Sequence, residues 1–265
     1  MYDSYNREIT YLRISVTDKC NLRCRYCMPE EGVAVRRHEE FLSFEEITAV
    51  VRAAVRLGVT KVRLTGGEPL VKRGIVDLVR MIRSVEGLRH LAMTTNGTLL
   101  DSFAAGLKAA GLDSVNVSLD TLDPERYRHL TRGGEIQRVL RGIEAALREE
   151  IPAKINMVVL EDTPEQEIDQ VRRFCSERGL KLQLINHFAL GAEKTDNYDY
   201  ERPPRCEECN RIRLLADGSL KPCLHSDEEI PIDMEDIEGS LRKTIARKPE
   251  RGSACTGRSM MEIGG

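Results

Sequence analysis

Three cysteines within eight residues, Cys20-x3-Cys24-x2-Cys27, set the chemistry open to this chain. Three thiolates from one short loop can hold three corners of a four-iron cluster and leave the fourth iron without a protein ligand. An iron left open in this way can bind a substrate as well as carry electrons. A zinc knuckle or unligated core thiols are the plainer readings, although structural zinc wants four ligands and no histidine completes this set. A second trio, Cys206-x2-Cys209-x13-Cys223, offers three more thiolates, and Cys255 or His225 could close it as a zinc ribbon. Arg211 and Arg213 follow at alternate positions, so an extended strand would project both to one face. Arg13 with Ser15, and Lys61 with Arg63, share strand faces in the same way. Five cations converging on an interior are costly unless a polyanion meets them.

The elements that must position these residues can be read from hydrophobic periodicity. Strands are expected at residues 12–16, 61–65, 90–94, 114–119, 155–159 and 182–185, with helices between them. Ser43-Phe44-Glu45-Glu46 is a capping box that opens the first helix, and Gly58 closes it. Strand and helix alternate six times, which implies a parallel sheet with right-handed crossovers. The economical solution is an α/β fold, a partial (β/α)6 TIM-like barrel, over residues 1–190. The rest, 191–265, reads as a small metal-stapled subdomain entered through the polar, Pro203-Pro204-containing connector.

Composition removes other classes. Forty Lys and Arg against 43 Asp and Glu give a net charge of −3, which argues against a protein that grips nucleic acid through phosphate charge. No segment approaches the roughly 20 apolar residues of a membrane span, and the first residues lack the basic and apolar runs of a secretory signal. A cytoplasmic protein is expected, and there clustered cysteines point to metal ligands rather than to disulfides.

Thr65-Gly66-Gly67-Glu68-Pro69-Leu70 follows the second expected strand as the cysteine loop follows the first. Together the two motifs resemble the radical S-adenosylmethionine (SAM) superfamily, in which this glycine motif binds SAM and the three cysteines hold a [4Fe-4S] cluster. Along nearly the whole chain the sequence is similar to one family, the molybdenum cofactor biosynthesis protein A or GTP 3′,8-cyclase family. The likeness is carried by residues 12–20, 26–29, 61–70, 94–97 and 116–120, the second cysteine trio, and the closing Met261-Glu262-Ile263-Gly264-Gly265. It implies two [4Fe-4S] clusters, the second on Cys206, Cys209 and Cys223, where the guanine base would bind. It also implies SAM contacts from Tyr26, Gly66, Gly67, Glu68, Ser118 and Phe188. GTP contacts would come from Arg13, Lys61, Arg63, Thr94, Lys154, Arg211, Ile212 and Arg213. Arg211, Arg213, Gly264 and Gly265 would serve catalysis. The implied reaction takes hydrogen from ribose C3′ and joins C3′ to guanine C8, an early step of molybdopterin synthesis. A flavodoxin- or ferredoxin-type electron donor and a downstream enzyme forming cyclic pyranopterin are the implied partners, and a homodimer is compatible with the pattern.

The chain departs from the family in three places. Only residues 186–205 stand where the family has a longer insertion, Gln183 replaces a phosphate-binding Arg, and Phe188 replaces a Met. Cys175 is expected in a helix core and Cys255 as a free thiol in a tail. A radical SAM enzyme acting on another nucleotide or a peptide is the alternative function, and a non-catalytic metal or electron-transfer protein is a second.

Overall fold

Alternation of apolar and polar residues along the strands decides which side of the sheet meets helices and which meets a cavity. The computed structural model describes residues 1–29, 32, 40–195, 198–200 and 204–264. Six strands, β1 (Tyr11–Ser15), β2 (Lys61–Thr65), β3 (His90–Thr95), β4 (Ser114–Ser118), β5 (Ala153–Val159) and β6 (Lys181–Asn186), pair in parallel in sequence order. Helices α1 (Phe44–Arg56), α2 (Ile75–Arg83), α3 (Leu100–Ala109), α4 (Pro124–Thr131), α5 (Ile136–Arg148) and α6 (Glu165–Glu177) form the crossovers. The expected capping box is present: Glu46 N–H donates to Ser43 Oγ at 3.1 Å, and Ser43 N–H to Glu46 Oε2 at 2.7 Å.

Leu12, Ile14, Val62, Leu64, Leu91, Met93, Val115, Val117, Ile155 and Met157 expose no surface and form the core beneath the helices. Each is worth about 2 kcal/mol relative to leaving it in water. Their strand neighbours, polar except for Ala92 and Val158, alternate with them, so the period of two writes a hydrophobic face and a chemical face on one sheet.

The carboxyl-terminal region extends this sheet. Strand β7 (Arg211–Leu214) pairs in parallel with β1, and β8 (Ser219–Lys221) and β9 (Ile230–Pro231) follow antiparallel. The order is β6-β5-β4-β3-β2-β1-β7-β8-β9, with β6 and β9 as edges, which is an open sheet and therefore a partial barrel. Helix α7 (Ile237–Ala246) packs against α1. Residues beyond 190 thus share the main core through Ile212, Leu214, Leu220, Ile230, Leu241 and Ile245. A second, small core gathers Leu190, Leu215, Cys255 and Ile263. Cys175 is buried in α6 as expected. Cys255 is a free thiol as expected, but not in a loose tail: it is 1% exposed and packed in the small core, because its segment folds back on Leu190, whose carbonyl accepts the Cys255 N–H at 2.7 Å.

Candidate active site

The chemical face of the sheet lines a cavity of about 310 Å³, and the loops leaving the carboxyl ends of β1, β2 and β3 close over it. This is where parallel α/β sheets place their ligands, because the strand ends free both loops and backbone groups there. Cys20, Cys24 and Cys27 come from the β1 loop and all line the cavity. That loop is tied to the end of α4: Arg23 and Arg25 N–H donate to the carbonyls of Thr131 and Leu130, at 3.2 and 2.9 Å. Arg132 reaches back from the helix end to the carbonyls of Arg23 and Met28, both at 2.9 Å.

Burial raises the pKa of all three thiols. The neighbouring thiols raise those of Cys24 and Cys27 further, Cys27 to about 12. Three sulfurs so placed cannot all ionise without a local cation, and an iron–sulfur cluster supplies one. Three thiols from one loop on the cavity wall are the donor set of a cluster rather than of a single ion, for which no three His, Cys, Asp or Glu side chains among the described residues are arranged.

The glycines of the β2 loop do more than admit a ligand. A Cβ on Gly66 would lie 2.3 Å from the Thr17 carbonyl oxygen, and one on Gly67 would lie 2.3 Å from that of Lys19. Gly67 and Glu68 N–H donate to those same carbonyls, at 2.8 and 2.9 Å. The glycine loop is thus clamped backbone to backbone against the root of the cysteine loop, and both Gly66 and Gly67 still line the cavity.

Glu68 is placed differently from the sequence expectation. It is completely buried and its carboxylate is consumed by structure. Oε1 accepts from Leu70 N–H and Thr95 Oγ1, at 2.9 and 2.8 Å, and Oε2 accepts from Asn96 N–H at 2.6 Å. It positions the β2 and β3 loops and forms no part of the cavity wall. Burial, against those three donors, pushes its pKa up to about 7.

Tyr26, Ser118 and Phe188 line the cavity. The Tyr26 hydroxyl donates to Asp120 Oδ2 at 2.7 Å, and Val158 N–H donates to Asp120 Oδ1 at 2.8 Å. Asp120 thereby locks the ring between two cysteines, a role hidden in the sequence because nothing local links residues 26 and 120. His187 meets Tyr26 edge-on, with centroids 6.3 Å apart, and Asn156 and Asn96 add amides to the wall.

The cations gather as the alternation predicts. Strand register aligns Lys61, Tyr11 and Arg211 in one row and Arg63, Arg13 and Arg213 in the next. All six face the cavity, with Thr94 and Lys154 further along it. Burial and the neighbouring cations hold Arg13 well below its ordinary pKa and Arg213 at about 10, the signature of a site waiting for negative charge. Gln183 accepts a hydrogen bond from Lys154 Nζ. Ile212 does not reach the cavity: it alternates with Arg211 and Arg213 and so points into the helix-side core.

Cys206, Cys209 and Cys223 sit behind this array. Pro204, Arg211, Arg213 and Leu224 form the cavity wall on their side, and the three thiols do not line it. Burial opposes ionisation of Cys209, but Lys248 and Arg211 hold its pKa below the ordinary value. Burial raises Cys223, and Cys209 and Cys206 add to the rise, so these three thiols are also neighbours. The 2%-exposed Lys248 donates to Cys209 Sγ at 3.3 Å and to the carbonyls of Arg211 and Pro222, both at 2.9 Å. His225 is buried with no hydrogen-bond partner for either ring nitrogen among the described residues. Burial and Asp227 raise the pKa of the Cys255 thiol, against Lys221 and the Arg258 backbone, which lower it.

At the other end, the Gly264 carbonyl accepts from Arg213 Nη1 at 2.8 Å and Arg13 Nη2 at 3.2 Å. Gly264 has φ +72°, and a Cβ there would lie 2.9 Å from Gly66 N, so only glycine fits against the β2 loop. Gly265 lies outside the described residues.

An open parallel sheet, a three-thiol loop after its first strand and a clamped Gly-Gly loop after its second define a class. The chain belongs to the radical SAM superfamily, which its residues 14–175 match, and membership carries SAM and an iron–sulfur cluster with it. The solved structure of native anSMEcpe with bound AdoMet shares the fold at TM-score 0.67 and 19% identity, over 88% of this chain and 80% of that one. Streptococcus suis SuiB bound to S-adenosylmethionine shares it at TM-score 0.70 and 16% identity, over 92% and 66%. Within the superfamily the sequence is closer to one set of proteins. It is 38% identical to the GTP 3′,8-cyclase of Alkaliphilus oremlandii (strain OhILAs), over all of both chains. It is 39% identical to that of Peptoclostridium acidaminophilum, over all of this chain and 98% of that one. The chain belongs to this GTP 3′,8-cyclase family. The first alignment runs over 320 positions against 265 residues, so these relatives carry segments that this chain lacks.

Proposed function

We propose that this protein is a GTP 3′,8-cyclase, converting GTP to 3′,8-cyclo-7,8-dihydro-GTP in molybdenum cofactor biosynthesis. The observation that carries the reading is one cavity lined both by the Cys20–Cys24–Cys27 trio and by two rows of cations. SAM at the first cluster supplies, on one-electron reduction, the acceptor for a hydrogen atom. Gly66, Gly67, Ser118 and Phe188, with the backbone at Tyr26, hold the cofactor. Arg13, Lys61, Arg63, Arg211 and Arg213 hold the triphosphate, with Thr94 and Lys154 beside them.

Multivalent charge-assisted contacts of this kind fix the ribose relative to the cysteine loop, and positioning is what such a reaction asks of a protein. Cys206, Cys209 and Cys223 would hold a second cluster, whose open iron would take the guanine base, and the Gly264 carbonyl completes the cation site. A flavodoxin- or ferredoxin-type donor delivers the electron in the cytoplasm, and an enzyme forming cyclic pyranopterin consumes the product. No described helix is long and apolar enough to cross a membrane.

The test is anaerobic incubation of the reconstituted protein with SAM, dithionite and GTP, followed by mass spectrometry. Both 5′-deoxyadenosine and cyclised nucleotide are expected. Deoxyadenosine alone refutes GTP as substrate, and neither product from cluster-loaded protein refutes the enzyme reading.

A further inference from the structure

Five cations on three adjacent strands repel one another, and one of the six positions in their two rows is not a cation but Tyr11. Tyr11 is 7% exposed and lines the cavity. Arg63 Nε donates to the Tyr11 hydroxyl oxygen at 2.6 Å, the shortest hydrogen bond that Arg63 makes. Its Nη1 contacts to the Met93 carbonyl and Thr94 Oγ1 are both 3.2 Å. The ring face carries two more cations, Lys61 Nζ at 5.1 Å and the Arg211 guanidinium at 5.5 Å from its centroid. These two are also the register partners of Tyr11 on β2 and β7. One phenol therefore touches three cations from both neighbouring strands, through its oxygen and through its π face.

On the strength of the nucleotide reading above, we propose that Tyr11 is a positioning residue of the phosphate site, holding Arg63, Lys61 and Arg211 in one array before a polyphosphate arrives. A leucine in its place would leave the cations to splay apart, and a carboxylate would neutralise them and repel the ligand. A phenol does neither, since it supplies a polarisable face and an oxygen that can give up its own proton or keep it. Arg13 on its own strand, Lys61 and Arg63 on β2, Arg211 and Arg213 on β7, and His90 beside Lys61 on β3 are the titratable groups around it. Burial opposes ionisation of the phenol, yet Arg13, Arg63 and Arg211 bring its pKa down to about 7. A triphosphate entering the array adds negative charge and favours the neutral phenol, so binding takes up a proton above that pH.

The experiment measures binding of GTP, and of inorganic tripolyphosphate as a base-free probe, to cluster-loaded wild type and Tyr11→Phe between pH 6.5 and 8.5. The phenylalanine keeps the ring and removes only the oxygen, and an unchanged melting temperature confirms the fold. At pH 6.5 the variant is expected to bind both ligands about tenfold more weakly, with kcat at saturating GTP within about twofold of wild type. Wild-type affinity should fall across the pH range by about tenfold more than that of the variant. A variant that binds tripolyphosphate like the wild type at pH 6.5, or that keeps the wild-type fall with pH, overturns the role of Tyr11. Tripolyphosphate binding without GTP binding refutes the nucleotide reading and leaves Tyr11 to be judged on tripolyphosphate. Wild type that binds neither refutes the phosphate site and Tyr11 with it.

Discussion

Gly67→Ala tests the clamp between the two cofactor loops. The added Cβ would lie 2.3 Å from Lys19 O, 2.7 Å from Lys19 C and 3.0 Å from Asp18 O, all of them backbone atoms that cannot swing aside. Relief requires the Lys19 carbonyl to withdraw by about 1 Å, as an ordinary contact needs over 3 Å. That movement breaks the bonds from Gly67 N–H to Thr17 O and from Glu68 N–H to Lys19 O. Two hydrogen bonds at about 1 kcal/mol each, with about 1–3 kcal/mol of overpacking, give a cost of about 3–5 kcal/mol. For a domain of this size that lowers the melting temperature by about 10 °C. Cys20 follows Lys19 directly, so iron uptake at the first trio should fall with it. Thermal unfolding by circular dichroism, iron per chain after reconstitution, and 5′-deoxyadenosine formed with SAM and dithionite read the three consequences. Gly191→Ala, with nothing within 4 Å, is the control. A Gly67→Ala protein that melts within 2 °C of wild type and takes up full iron would refute the clamp.

Arg213→Ala removes a cavity cation and a donor to the Gly264 carbonyl. The KM for GTP should rise by about 10- to 100-fold, the worth of one charge-assisted bond, while SAM cleavage without GTP stays within about twofold. Equal losses in both assays would place Arg213 outside the substrate site. Lys248→Met leaves the Arg211 and Pro222 carbonyls buried without their donor. It should cost about 2–4 kcal/mol in urea unfolding and strip iron from the second trio alone, as read by iron content in a Cys20/Cys24/Cys27→Ala background. Undiminished iron there contradicts the role of Lys248. Glu68 has a folded pKa of about 7, above its ordinary 4.5, so its protonation favours the fold. The contribution is full below about pH 4.5 and lost as pH rises through 7. Wild type should therefore lose about 3 kcal/mol relative to Glu68→Gln between pH 5 and 8 in urea melts. A constant difference across that range would show that Glu68 does not titrate there.

Much of this protein is written locally. The six strands, the capped first helix, both cysteine trios and the inward alternation of Arg13, Lys61, Arg63, Arg211 and Arg213 follow from spacing, because period-two side-chain geometry and ligand spacing are properties of short segments. Tyr11 escaped that reading: an aromatic at the start of an apolar strand looks like core, and nothing local announces Arg63 on its oxygen. Glu68 is the complementary case: its place in the glycine motif is legible in the sequence, while only the fold shows its carboxylate bonded to Leu70, Thr95 and Asn96.

The tertiary structure alone decided that β7 would lie beside β1, bringing Arg211 and Arg213 into register with Tyr11 and Arg13 across about 200 residues of chain. It also decided that Lys248 would brace Cys209, that Asp120 would hold Tyr26, and that Gly264 would close against Gly66. Such pairings are chosen by the combined packing of distant segments, whose free energy no window of sequence contains.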